Sequence, residues 1–181
     1  MENELILLSR ARALDQDALA EIHTRYYRRI YRYIDYRVQN EQTVEDLTSE
    51  VFVRFLTAIR DHHAPQNSIE GWLIGVAKNV IKEYYRRNRR DDWSTLGEEK
   101  ASLLPMSAEV VDTHIMNEQV REAIKELTED QQQVLALRFG FEMPIKQTAE
   151  VMQKSEGSIK MLQVRAVASL TRLLRGSEVG A

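Results

Sequence analysis

The side chains best suited to recognition chemistry lie near the C-terminus, in the stretch SIKMLQVRAVASLTRLLR (158–175). Ser158, Lys160, Gln163 and Arg165 stand at the start of an otherwise apolar amphipathic segment, together with Met161 and Val164. Lys and Arg pair with phosphates or with guanine edges, and a Gln amide can pair with adenine in the major groove. The preceding segment, IKQTAEVMQ, and the turn KSEG complete helix-turn-helix proportions. Ala149 lets the two helices approach, Met152, Ile159 and Leu162 can fill the wedge between them, and Ser155 suits an N-cap. A purely structural helical hairpin would share the apolar pattern; the polar start of the second helix favours DNA.

A second constellation is the basic run Lys78, Lys82, Arg86, Arg87, Arg89 and Arg90, interrupted by one acid, Glu83. A solvated helix end, where cations oppose the dipole, accounts for two or three of these charges. Six, with Tyr84 and Tyr85 alongside, fit a phosphate-tracking surface better, since aromatics also stack on unpaired bases. Directly after it, from Asp91 to Asp112, six acids stand against the single base Lys100. The net charge of −3 therefore hides a strong segregation of sign.

Other chemistries find little support. The absence of cysteine excludes disulfides and thiolate metal sites. His23, His62, His63 and His114 show no metal-ligand spacing apart from the adjacent pair, so no metal is expected. There is no Gly-rich phosphate loop, no nucleophile elbow and no acid–base pair, so neither an enzyme nor a cofactor is expected. The start MENELILLSRARALDQ lacks the basic opening and long apolar core of a signal peptide, and no apolar run approaches a membrane span. A cytoplasmic protein without membrane insertion is expected, with no further domain after Ala181.

The elements that must position these residues read as helices throughout. Leu19, Ile22, Tyr26, Ile30 and Ile34 recur at helical steps from Asp17 to about Val38, and the interleaved tyrosines and arginines of Arg25–Arg37 read as structural. A second helix opens at Thr43, three residues before Asp46, and carries the stripe Leu47, Val51, Phe55 and Ile59. After the loop DHHAPQN, Ser68 caps a third helix with Trp72, Leu73, Val76, Val80 and Tyr84 on one face. Periodicity fails from Trp93 to about Asp112, where Gly97, Pro105 and several serines sit among acids. Beyond it come an amphipathic helix from near His114, a helix with the capping box Thr128–Gln131, and Gly140 as a left-handed C-cap. The fold expected is all-α: two small helical domains, 1–92 and 114–176, joined by a flexible acidic linker, 93–113, with a tail of 177–181.

In this order the motifs resemble the extracytoplasmic-function (ECF) sigma factors, the smallest members of the main bacterial sigma family. VEDLTSEVFVRFLTAI (44–59) is similar to region 2.2, WLIGVAKNVIKEYYRRNRR (72–90) to regions 2.3 and 2.4, and the stretch from Glu126 to Leu170 to region 4. The resemblance implies a transcription initiation factor that directs core RNA polymerase to promoters and helps open the DNA. Asp46, Glu50, Val51 and Arg54 would dock on the clamp helices of the β′ subunit. The loop from Asp61 to Ser68 and the helix start would take up an unstacked −10 base, at an unstacking cost of a few kcal/mol. Asn79 would face −10 DNA, with Lys78, Lys82, Arg86 and Arg87 on its backbone. Ser158, Lys160, Gln163 and Arg165 would read the −35 element, and the rest of that module would grip the β flap. The acidic linker would mimic nucleic acid in the polymerase channels, or act as a soluble tether.

Gly75 departs from the pattern, standing where many relatives carry a basic residue, which puts −10 contacts there in doubt. Sequestration by an anti-sigma protein that covers both polymerase-binding faces is a further implication. Two other readings remain open. A stand-alone helix-turn-helix regulator leaves the N-terminal module without a role, and a protein-only adaptor leaves the basic run unexplained.

Overall fold

The computed structural model describes residues 3–38, 40–66, 68–91 and 119–178; the acidic linker and His114 lie outside the described residues. Among these residues all regular structure is helical: α1 (Glu4–Arg12), α2 (Gln16–Asp35), α3 (Glu41–Arg60), α4 (Ile69–Asp91), α5 (119–125), α6 (Glu129–Leu135), α7 (Ile145–Met152) and α8 (Glu156–Glu178). Helix α6 runs directly into a wider π turn, Ala136–Gly140.

Local chemistry sets most boundaries. Asp15 caps α2, its carboxylate accepting from the amides of Asp17 at 3.0 Å and Ala18 at 3.1 Å. The expected start of α3 at Thr43 is displaced to Asn40, whose Oδ1 accepts from both the Thr43 amide and hydroxyl. An Asn at N-cap satisfies an orphan amide at least as well as Thr, so the helix gains three residues. The capping box of Thr128 and Gln131 on α6 is present as expected. Helix α1 is not anticipated, because its apolar run is too short to display a period; Leu7, Leu8 and Ala11 nonetheless bury completely against the bundle.

The N-terminal core is a bundle of α1–α4 built on Ile22, Ile30, Tyr33, Phe55, Ile59, Leu73 and Ile74. The C-terminal module has a smaller core around Ile124, Val134, Leu135, Ile159 and Ala166. The two are not separate. Ala136, Leu137, Phe141 and Met143, at the π turn and just after it, bury in the N-terminal core.

Arginines of α2 lock this junction. Arg29 lies 4.1 Å over the Phe141 ring, donates to the Phe141 carbonyl at 2.9 Å and pairs with Glu70 at 3.3 Å. Arg32 donates to the Phe139 carbonyl at 2.7 Å and pairs with Glu142 at 2.5 Å, while Asp35 pairs with Arg121 at 2.5 Å. Burial pushes the Glu70 carboxyl above its ordinary range, against the pull of Arg29. Tyr26 and Tyr33 are core residues as expected, but Arg29 and Arg32 between them are junction residues.

Gly140 does not adopt the expected left-handed conformation; the positive φ falls on Glu142 instead, at 61°. Its role is close approach. A Cβ on Gly140 would stand 3.1 Å from the Arg32 carbonyl oxygen and 3.2 Å from the Tyr33 Cα, both backbone atoms of α2.

Candidate nucleic-acid interface

Helices α7 and α8 meet at a left-handed Gln153, φ 53°, and Ser155 caps α8 by accepting from the Ser158 amide at 3.1 Å. Ile159 and Ala166 are fully buried, with Leu162, Leu170 and Leu173 packed beside them. That inner line turns Lys160 and Arg165 into solvent, as expected. Ser158 is exposed, with its hydroxyl 2.8 Å from Ser155 Oγ. Gln163 is turned inward: it is half-buried and its Oε1 accepts from Arg138 Nε at 3.1 Å. Arg138 also donates to the Met143 carbonyl, so Gln163 braces α8 against the π turn and presents little to a ligand.

On α4, Lys78, Asn79, Lys82 and Arg86 are all exposed and line one wall of a groove of about 1210 Å³, faced by Arg121 and Lys125 of α5. Gly75 lies on the same exposed face, and a Cβ there would meet nothing within 4 Å. Arg87 points elsewhere and pairs with Glu83 at 3.6 Å. Glu83 in turn takes both terminal nitrogens of Arg54, at 3.1 and 2.8 Å, while Arg54 Nε reaches Glu50 at 2.8 Å. The Arg54 guanidinium holds the Glu83 carboxyl below its usual range. Arg54 and Glu50 thus tie α3 to α4.

The polymerase-facing expectation needs one correction. Val51 is 0% exposed and belongs to the core, as its place in the stripe Leu47–Val51–Phe55–Ile59 already implied. Asp46 is exposed on the outer face of α3, where Val53 (55%) and Leu56 (48%) stand in solvent. Sequence reasoning passed over both; the signal was their position opposite the buried stripe.

The loop before α4 is held by α1. Arg12 donates to the Pro65 carbonyl, and Glu4 Oε1 accepts from the amides of Ile69 at 2.7 Å and Glu70 at 3.1 Å. Ser68 accepts from the Gly71 amide at 3.0 Å, as its capping role predicts. Two of the orphan amides at the helix start are therefore occupied by a carboxylate 65 and 66 residues away in sequence.

Residues 22–91 match the model for sigma-70 region 2 and residues 123–172 that for sigma-70 region 4. The ECF RNA polymerase sigma factor BldN of Streptomyces coelicolor (strain ATCC BAA-471 / A3(2) / M145) is 37% identical over 170 residues, covering 93% of this chain and 64% of BldN. SigX of Bacillus subtilis (strain 168), also an ECF sigma factor, is 28% identical over 83% of this chain and 80% of its own length. The chain belongs to the sigma-70 family, in its ECF group. The fold of this sigma factor is shared with CnrH, solved in complex with the cytosolic domain of CnrY, at a TM-score of 0.71 and 19% identity over 96% of this chain and 97% of CnrH. In this sigma factor no helix among the described residues is long and apolar enough to cross a membrane, and no metal-ligating cluster occurs there.

Proposed function

We propose that this sigma factor directs core RNA polymerase to specific promoters by contacting −10 and −35 elements and helps open the DNA. The observation that carries the reading is the coexistence, in one chain, of a region 2 module with an exposed basic face (Lys78, Asn79, Lys82, Arg86) and a region 4 module with an exposed α8. The basic face follows the −10 strand backbone, with Arg87 at its edge and the loop 61–68 beside it. Lys160 and Arg165 hold −35 DNA, with Ser158 at the helix start and Gln163 as their brace. Asp46, Val53 and Leu56 offer the β′ clamp an apolar patch with an acidic neighbour, rimmed by Glu50 and Arg54. The remaining face of region 4 meets the β flap. Domains of 1–92 and 114–176, a tethering linker, action in the cytoplasm, no catalysis by the chain itself, and sequestration by an anti-sigma protein belong to the same reading.

The docked junction gives this function a mechanical requirement. Positions −10 and −35 are roughly 85 Å apart on B-form DNA at 3.4 Å per base pair. A compact chain of this length is only about 40 Å across. The modules must therefore part to touch both elements, and a 93–113 linker reaches roughly 70 Å when extended. Parting breaks the contacts of Arg29, Arg32 and Gly140, so the chain alone binds promoters weakly.

Reconstituted transcription tests the reading. Promoter-specific initiation is expected only when the chain is mixed with core polymerase. Tight binding of a specific duplex by the chain alone, with no initiation on core, overturns it.

A further inference from the structure

Helix α8 leaves an apolar strip in water. Met161 is 53% exposed and Val164 61%, at the second and third turns of the helix, and Gly157 precedes them on the same line. At 100° per residue Gly157, Met161 and Val164 share the direction opposite the buried Ile159 and Ala166. Lys160 and Arg165 stand roughly 70° to either side of that strip. Gly157 has no intramolecular reason to lack a side chain: it has no positive φ, and a Cβ there would meet only Ser155 Oγ, at 4.0 Å. In the first turn of a helix a glycine is nevertheless a poorer helix former than alanine.

An apolar centre with a cation on each flank fits one occupant, the major groove of a duplex. The strip from Gly157 to Val164 is roughly 10 Å long at 1.5 Å per residue, and the groove is roughly 12 Å wide. The flanking cations meet the phosphates of the two walls, and the bare backbone at Gly157 permits a close approach. On the groove floor, the group that an aliphatic side chain can recognise is the 5-methyl of thymine. Gln163, the residue that could read adenine, is held by Arg138 away from this face.

We propose that Met161 and Val164 are the specificity-determining residues of the −35 contact, reading thymine 5-methyl groups, while Lys160 and Arg165 grip phosphates without regard to sequence. The inference rests on the −35 role proposed above and specifies its chemistry.

The test uses holoenzyme reconstituted from core polymerase and the full chain. Promoters are selected from a pool randomised across the −35 element, and each thymine on either strand is then exchanged for deoxyuridine, which pairs alike but lacks the methyl. Occupancy is expected to fall about four-fold at each contacted thymine, the fold-change equivalent to ~0.8 kcal/mol for one buried carbon. Val164→Ala and Met161→Ala both place a good helix former at an exposed position and should fold normally. Each should bind the thymine promoter less tightly and lose its sensitivity to the exchange at its own position.

Selected elements without thymine overturn the proposal, as does normal initiation that ignores the exchange, or full sensitivity retained in both variants. Loss of core-polymerase binding in the two variants, with thymine sensitivity unchanged, overturns it in favour of a protein occupant. Absence of any promoter-specific initiation by wild-type holoenzyme would instead sink the sigma reading itself, and this inference with it.

Discussion

Helices α3 and α8 each hold a pair of large apolar side chains in solvent, and the two pairs are almost equally exposed. Val53 and Leu56 on α3 share their exposed face with Glu45 and Asp46, and the arginines nearby are committed, Arg54 to Glu50 and Glu83 and Arg60, one turn beyond Leu56, to Asp61. Met161 and Val164 on α8 have Lys160 and Arg165 on their flanks, and the one acid of that stretch, Glu156, stands at the helix start, a turn before Lys160. Hydrophobic burial is non-directional and cannot choose a partner. The charges around the patch choose: an acidic frame repels a phosphate backbone and suits a protein surface, whereas a basic frame does the reverse.

The comparison breaks most sharply at α3. Val53→Asp should cost core-polymerase binding about 2–4 kcal/mol, the scale of an interface hot spot, while leaving the thermal unfolding midpoint nearly unchanged. Retained core binding, measured by fluorescence anisotropy of labelled chain, would remove α3 from the polymerase interface. A second variant asks whether the two faces act independently once the modules part. Gly140→Leu forces a side chain against the α2 backbone and should weaken the docked state by about 1–3 kcal/mol. Resonance energy transfer between dyes on α3 and α8 should drop while the helical circular dichroism stays.

Two smaller effects sharpen the electrostatic half. Arg165→Ala should weaken holoenzyme binding to all promoters alike and lower the slope of log K against log salt by about 1; altered sequence preference would instead make Arg165 a base reader. Gly75→Arg adds a charge to the α4 face where there is room for it, and should raise that slope by a similar amount in −10 strand binding.

The smallest effect separates the structural arginine of α3 from its docking neighbours. Glu83→Gln should cost about 1 kcal/mol of stability at neutral pH, as expected for a half-exposed pair. Because the folded carboxyl titrates below its unfolded value, that contribution is complete above the ordinary carboxylate range and disappears as pH falls through the folded pKa. Urea titrations of both proteins should therefore converge in acid; a constant difference would mean that the pairing with Arg54 is not its source.

The sequence by itself determined the described helices other than α1, their inner faces and the caps at Ser68, Thr128 and Ser155, together with the two modules and their order. These depend on residues three to seven apart, whose neighbours any helix brings together. It misplaced the start of α3 because Asn40 and Thr43 both satisfy the local rule. It also sent Val51 to a partner although its own stripe put it inside. Only the tertiary structure decided that Gln163 faces Arg138, that Glu4 caps α4, that Arg29 spans 112 residues to Phe141, and that Gly140 exists for the backbone of α2. Such pairings follow from how helices pack in space, and no periodicity along the chain encodes a contact between residues a hundred positions apart.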